Sequence, residues 1–427
     1  MENISKYLKI NFLVSTGKIV VVSLVTLLLL PLIIQRLGLA LFGVISLTLL
    51  FSEISTIVDL GLSKSIVLLS GEKKIPENRV ITSALYINLL IVAILSVIFI
   101  GLQLLSVDLL GNTLNISDNE KFILLNTGFI ILILTLLNNF CRAILESNYF
   151  IHIVNITYTV YMPLLYTVIF VASFFTKNII FYIITPLFLT FLMLLINFMI
   201  IKSKTKVYIV KIRVIHLRYV FKNTVAFLNI GLINSMVVPV LRYGFVLMVA
   251  DISLYAIFDL SFKIAMLANS LIISISLPMF AVFSKNNKQI KKMINISYKI
   301  FGISLAIFIS ILLVFNFFGN FIIIFLNLNS SNADLLYTIT FILLISLGSI
   351  AVVEVFYRYF LGNKQLRKAF LLKLIIPVGC LAFFLLFKDV DLVYRFIYAY
   401  GASLIISANF ILLAFVFQSK TKLQLGK

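Results

Sequence analysis

Long apolar runs recur along this 427-residue chain, and their length constrains the fold more than any other feature. A bilayer core of about 30 Å is crossed by about 20 apolar residues in a helix. Breaks at charged and polar clusters divide the chain into twelve spans: 10–34, 40–68, 80–106, 121–145, 149–174, 178–201, 223–248, 252–283, 294–326, 335–361, 368–387 and 392–418. The runs 149–201 and 223–283 are each split in two on length, since one span cannot hold about 50 residues. The expected fold is an all-α polytopic membrane protein. The first run contains Lys18 and is too long for the apolar core of a signal peptide, so it is read as a retained span.

Composition agrees. Hydrophobic residues make up 62% of the chain and charged residues 12%. Soluble domains carry about 45–50% and about 25%. A water-soluble enzyme, a nucleic-acid binder and a disordered protein are excluded on that ground. The net charge of +20, from 35 Lys and Arg against 15 Asp and Glu, would suggest nucleic acid on a soluble protein. Here position explains it. With the N-terminus in the cytoplasm, 24 basic residues fall on cytoplasmic segments and 4 on outer loops (Arg36, Lys177, Lys388 and Arg395). Translocating Lys and Arg is costly, so they stay inside, where they also meet anionic membrane lipids. A miscounted span would invert the alternation from that point on, and no inversion occurs. Both termini are expected in the cytoplasm, and no nucleic-acid partner is expected.

Residues 202–222 carry seven Lys and Arg and no acid, near the midpoint of the chain. They predict a basic cytoplasmic linker between a six-helix bundle at 1–201 and a second at 223–427. Three short likenesses support a repeat. Residues 37–44 match 250–257 at an offset of 213. Phe140, Arg142 and Leu145 match Phe356, Arg358 and Leu361 at 216, and Pro163 matches Pro377 at 214. Six spans per repeat is an even number, so the halves share one orientation, with a cavity at the repeat interface. Chance likeness in Leu-, Ile- and Phe-rich sequence is the competing explanation. Pro31, Pro163, Pro186, Pro239, Pro278 and Pro377 lie inside spans, where each removes a backbone hydrogen bond and can kink its helix.

Some charges remain inside the spans. Each Lys or Arg at a helix centre costs about 2.5–3.5 kcal/mol on insertion scales. Lys121, Lys299 and Lys373 lie near span ends and are expected to snorkel. Lys18 lies in the inner third of span 1, Arg242 in the outer part of span 7 and Lys263 in span 8. These three are expected to line a cationic cavity suited to an anionic substrate. Glu53, Asp59, Asp259 and Glu354 would compensate that charge, or titrate and couple H+ or Na+ movement to transport. Asp259 with Lys263, and Glu354 with Arg358, are spaced i, i+4 and can pair on one helix face. Cys141 and Cys380 sit inside apolar runs, and His152 and His216 lack ligand-like spacing. No metal and no cofactor is expected, and without a Gly-rich phosphate loop an ATP-driven pump is disfavoured.

Arg36-Leu-Gly38 with Phe42 and Gly43 between spans 1 and 2, followed by Asp59-Leu-Gly61-Leu62, resembles the polysaccharide-repeat-unit (O-antigen, Wzx-type) flippases of the multidrug/oligosaccharidyl-lipid/polysaccharide (MOP) exporter superfamily. The resemblance covers the whole chain in architecture. It implies a MATE-like pair of six-helix bundles in a bacterial inner membrane. It also implies an undecaprenyl-diphosphate-linked glycan as substrate, ion-coupled antiport, polysaccharide polymerase machinery as a partner, and no enzymatic activity. Lys18, Arg242 and Lys263 would then face the diphosphate or acidic sugars. Gly38, Phe42 and Gly43 would shape a tight turn, and Gly61 would permit close helix approach near Asp59. Three alternatives stay open. One is a multidrug antiporter of the same superfamily, for which an acidic or aromatic cavity is expected. Another is a lipid II-type flippase, which resembles a fourteen-span plan. The third is a polytopic glycosyltransferase or polymerase, disfavoured because the outer loop at 107–120 lacks His and Arg.

Overall fold

The computed structural model describes the backbone except at residues 1, 60, 73–74, 106–116, 149, 206, 212, 250, 277–278, 280–282, 284–289, 325, 327, 364 and 426–427. Side chains at 1–16, 18–20, 23, 27, 56, 71–72, 151, 226–235, 290, 322–324, 366 and 422–425 are likewise outside the description. The described residues form helices and no strand. In chain order these are α1 (Glu2–Val58), α2 (Leu62–Glu72), α3 (Glu77–Leu104), α4 (Asp118–Ser147), α5 (Ile151–Ala172) and α6 (Ile179–Lys204). They continue as α7 (Val214–Val249), α8 (Ile252–Ser276), α9 (Ile290–Ile324), α10 (Ser330–Gly362), α11 (Leu366–Leu386) and α12 (Leu392–Leu425). Spans 1 and 2 fall on the two arms of α1, with α2 continuing span 2, and spans 3–12 fall on α3–α12 in order. The chain is an all-α polytopic membrane protein. Among the described residues, ten helical stretches are long and apolar enough to cross a bilayer.

The interruptions have local causes. Gly38 has φ 79° and ψ 166°, which breaks the helical run of α1. A positive φ costs an L-residue steric energy that glycine escapes. The start of α4 is fixed by a capping box, in which Ser117 accepts from the Glu120 amide and the Glu120 carboxylate accepts from the Ser117 amide. Asn178 caps α6 by accepting from the Ile180 amide, and Lys202 and Lys204 lie in its last turn, where the helix dipole favours cations. Described prolines lie within helices at Pro31, Pro163, Pro186, Pro239 and Pro377. Pro278 lies outside the described residues.

By contacts the chain divides into two compact units, residues 1–256 and 257–427. In the first, α4 packs on α6 and α1, α1 packs on α5, and α7 packs on α1, α2 and α3. This packing places α7 in the first unit, beyond the basic 202–222 segment. One core cluster joins Leu62 and Ile66 of α2, Val80 and Ile87 of α3, and Phe140 and Leu145 of α4. In the second unit, α10 packs on α9 and α12, and α11 packs on α12. Phe356 of α10 and Phe415 of α12 stack with ring centroids 4.2 Å apart, and Tyr359 meets Phe415 edge-on. Helix α10 is the most enclosed of the apolar helices, whereas few residues in the most apolar stretches of α3 and α9 are buried. Cys141 and Cys380 are free thiols.

A close approach inside the first unit depends on Gly43. A Cβ there would run into the carbonyl of Ile252 at the start of α8. Around Gly101 of α3, by contrast, a Cβ meets open space. Gly43→Leu should therefore destabilise the protein by about 1–3 kcal/mol through overpacking. Gly101→Ala should be neutral or stabilising by about 0.4–1 kcal/mol. Thermal melting of the two variants in detergent checks the contrast, and equal effects would refute the packing argument.

Candidate functional site

Charges inside apolar helices are expensive unless paired, and ion pairs mark where this chain keeps them. In the first unit, Arg242 Nη1 of α7 donates to Glu53 Oε2 of α1 at 2.5 Å. The Arg242 side chain is 3% exposed and that of Glu53 is 41% exposed. Tyr255 stands beside the same guanidinium. Glu53 is also close enough to act electrostatically on Tyr158 of α5, as are Arg142, Tyr161 and Tyr166. The Arg142 guanidinium of α4 lies 5.4 Å from the Tyr158 ring centre, in cation–π range. The Tyr161 hydroxyl shares a 2.9 Å hydrogen bond with Thr190 of α6. Deeper still, Asn197 of α6 donates to Asn138 of α4 at 2.7 Å. The interior of this unit thus holds a polar group of acid, cations, phenols and amides.

Asp59 has a different task. Its carboxylate accepts from the Ser63 hydroxyl at 2.9 Å and from the Ser63 amide at 3.3 Å. It thereby supplies acceptors at the start of α2, just past Gly61, whose φ is 79°. The glycine serves backbone geometry at this break. Lys18 lies on the backbone of α1, but its side chain is outside the described residues.

In the second unit, Lys263 Nζ lies 2.7 Å from Asp259 Oδ2 one turn away on α8. The Asp259 side chain is fully buried and that of Lys263 is 17% exposed. On α10, Glu354 Oε1 meets Arg358 Nη2 at 3.3 Å. Its other oxygen meets Lys373 Nζ of α11 at 3.4 Å. Lys373 also sits 4.7 Å from the centre of the Tyr357 ring. One carboxylate therefore serves two cations. Proximity to a span end suggested that Lys373 snorkels; the structure turns it to Glu354. The clue in the sequence was the absence of any acid on its own helix, which leaves it to pair across helices.

Two polar cavities lie apart from these pairs, each of about 520 Å³. One is lined by Glu120, Lys177, Asn178 and Asp251 in the first unit. The other is lined by Lys291, Lys292, Asn295 and Lys299 at the start of α9. His216, at the start of α7 before its apolar stretch, is pushed below the ordinary imidazole range by burial, and further by Arg79 and Arg213. Among the described residues, no group of three or more His, Cys, Asp or Glu is placed to hold a metal.

The pairs can be tested individually. Lys263→Gln leaves the buried Asp259 carboxylate without its cation, and breaking one partner of a buried pair costs about 3–5 kcal/mol. The double variant with Asp259→Asn should recover most of that loss. Glu53→Gln should cost less, because the amide oxygen of the new side chain can still accept from the buried Arg242 guanidinium. Melting temperatures in detergent report the order, and a double variant as unstable as Lys263→Gln would show that the two residues do not compensate each other.

Neither a protein-family description nor a curated protein matches the chain. Solved structures do match in fold. An inward-facing multidrug resistance transporter of the MATE family, MOP superfamily, aligns with TM-score 0.72 and 14% identity, over 93% of this chain and 95% of that one. The lipid II flippase MurJ, in an inward closed conformation, aligns with TM-score 0.72 and 18% identity, over 92% of this chain and 87% of that one. A MOP superfamily transporter from Pyrococcus furiosus aligns with TM-score 0.59 and 14% identity, over 97% and 95%. It is described as having a binding pocket of reverse polarity that suggests a different function. The chain therefore has the all-helical fold of these membrane transporters.

Proposed function

Starting from that fold, we propose that this protein is a secondary transporter that flips a lipid-linked oligosaccharide, with an undecaprenyl diphosphate carrier, from the cytoplasmic to the outer leaflet of a bacterial inner membrane. The observation that carries the reading is the presence of cations within apolar helices, each held by a carboxylate: Arg242 by Glu53, Lys263 by Asp259, and Arg358 with Lys373 by Glu354. Cations maintained at such cost suit an anionic substrate group. In this reading Lys18, Arg242 and Lys263 line the cavity, in the two bundles 1–201 and 223–427 joined by the basic 202–222 segment. Glu53, Asp59, Asp259 and Glu354 balance their charge. Glu53 is the best placed to exchange H+ or Na+, because its side chain is 41% exposed while its partner is buried. Both termini lie in the cytoplasm, no catalysis is required, and polysaccharide polymerase machinery would take up the product. The structural likeness to MurJ, a lipid II flippase, supports a lipid-linked substrate.

One observation favours multidrug export instead. The partly exposed Glu53 acts electrostatically on the phenol of Tyr158, which Tyr161 and Tyr166 also approach, and a carboxylate beside aromatic rings suits an organic cation. The likeness to a multidrug resistance transporter gives that reading the same fold. The reverse-polarity neighbour illustrates that fold and pocket charge vary independently.

Proteoliposomes separate the two. The purified protein should move a fluorescent undecaprenyl-diphosphate-linked saccharide between leaflets, and Arg242→Gln together with Lys263→Gln should slow it. Ethidium uptake driven by a proton gradient, with no movement of the lipid-linked sugar, would overturn the flippase reading in favour of drug export.

A further inference from the structure

Charge balance is uneven among the ion-paired groups. Among the described ion pairs, Arg242 meets Glu53 and Lys263 meets Asp259, but Arg358 and Lys373 share Glu354 between them. This leaves one positive charge in excess, on side chains only 17% and 12% exposed. The second unit offers little to neutralise it. Residues 257–427 carry sixteen Lys and Arg against five acids. Of those acids, Asp259 is engaged by Lys263. Asp334 lies near the start of α10, and Asp389 and Asp391 follow the end of α11, so all three sit at the opposite helix ends from Arg358 and Lys373. The Arg358 Nε–H is buried and meets no acceptor in the structure. Lys368, on the first turn of α11, donates to Gln418 at 2.8 Å and so keeps another cation at this end.

From this geometry we infer that Arg358 and Lys373 form a seat for a phosphate group, where α10 ends and α11 begins. A phosphate oxygen can take both the guanidinium and the ammonium, and a planar guanidinium favours such oxyanions. Glu354 then acts as an internal anion that holds the two cations in place and gives way, wholly or in part, when phosphate arrives. The first unit marks the same place differently. Asn138 precedes Arg142 by four residues as Glu354 precedes Arg358, yet Asn138 is neutral and hydrogen-bonded to Asn197. The Arg142 guanidinium faces the Tyr158 ring there. The acid and the second cation are thus features of the second unit. Two sources present the required chemistry, a prenyl diphosphate and a glycerophospholipid headgroup. The use of the seat to load a diphosphate-linked carrier from the cytoplasmic leaflet rests on the function proposed above; the seat itself rests on charge and distance within one unit.

Binding tests it apart from transport. The full-length protein in phosphatidylcholine nanodiscs is titrated with farnesyl diphosphate and, as an uncharged control, farnesol, with thermal shift as readout. Farnesyl diphosphate should bind and farnesol should not. Arg358→Gln and Lys373→Gln should each weaken binding by about tenfold or more, the size expected for losing a hydrogen bond to a charged group. Lys373→Arg should retain it, and Glu354→Gln, which removes the internal anion, should tighten it. Phosphatidylglycerol placed in the disc reports the source: competition assigns the seat to a lipid headgroup, and its absence assigns it to prenyl diphosphate. No diphosphate binding by the unaltered protein would overturn the seat, as would undiminished binding in both Gln variants or weaker binding in Glu354→Gln. Normal binding without any flipping in proteoliposomes would remove the transport reading and leave the seat standing.

Discussion

Hydrocarbon cannot solvate a charge, and the interior of this protein is ordered by that constraint. An ion in an apolar medium costs several kcal/mol even after relaxation, so each one kept there needs a partner of opposite sign. Among the described residues, three carboxylates meet four cations in this way: Glu53, Asp259 and Glu354 against Arg242, Lys263, Arg358 and Lys373. The same constraint shapes the backbone. Each apolar helix satisfies its own amides, and where helix α1 gives way to α2 the side chain of Asp59 supplies acceptors to Ser63. Polar groups inside the first unit are drawn to one another for the same reason, as in the Asn138–Asn197 and Tyr161–Thr190 contacts.

The helices were legible in the sequence because span length and apolarity are one-dimensional properties. A run such as 294–326 is long and apolar enough to cross a bilayer, and it appears as the helix α9. The two i, i+4 pairs were legible for a similar reason, since Asp259–Lys263 and Glu354–Arg358 need only one helical turn to meet. Glu53 and Arg242 are 189 residues apart, and no periodicity connects them. Their meeting depends on α7 packing against α1. Lys373 was misjudged on the same ground: depth along its own helix says nothing about an acid on the neighbouring one. Gly61 shows a third kind of limit: its positive φ is a backbone torsion that the sequence does not display.

The contact division and the repeat describe different properties of the chain. Helix α7 packs with the first unit, while the short likenesses between residues 37–44 and 250–257, and around Arg142 and Arg358, relate one half to the other. Within each unit an arginine near the end of one helix reaches the helix that follows it. Arg142 of α4 lies against Tyr158 of α5, and Arg358 of α10 shares Glu354 with Lys373 of α11. The two arginines thus differ in partners, an aromatic ring for one and a carboxylate with an ammonium beside it for the other, and so in their electrostatics.

Pairing would also set a condition on the transport proposed above. Breaking a buried ion pair by removing one partner costs about 3–5 kcal/mol, so the separated pair is rare at equilibrium. A cation that must release its carboxylate to bind substrate therefore needs the incoming group to replace that carboxylate as it leaves. An anionic headgroup can do so at Arg242 or Lys263, and a proton or Na+ can in turn neutralise the acid set free. An uncharged substrate could do neither. On the proposed function these pairs would act as a filter on charge: a ligand that brings no compensating ion would leave them closed.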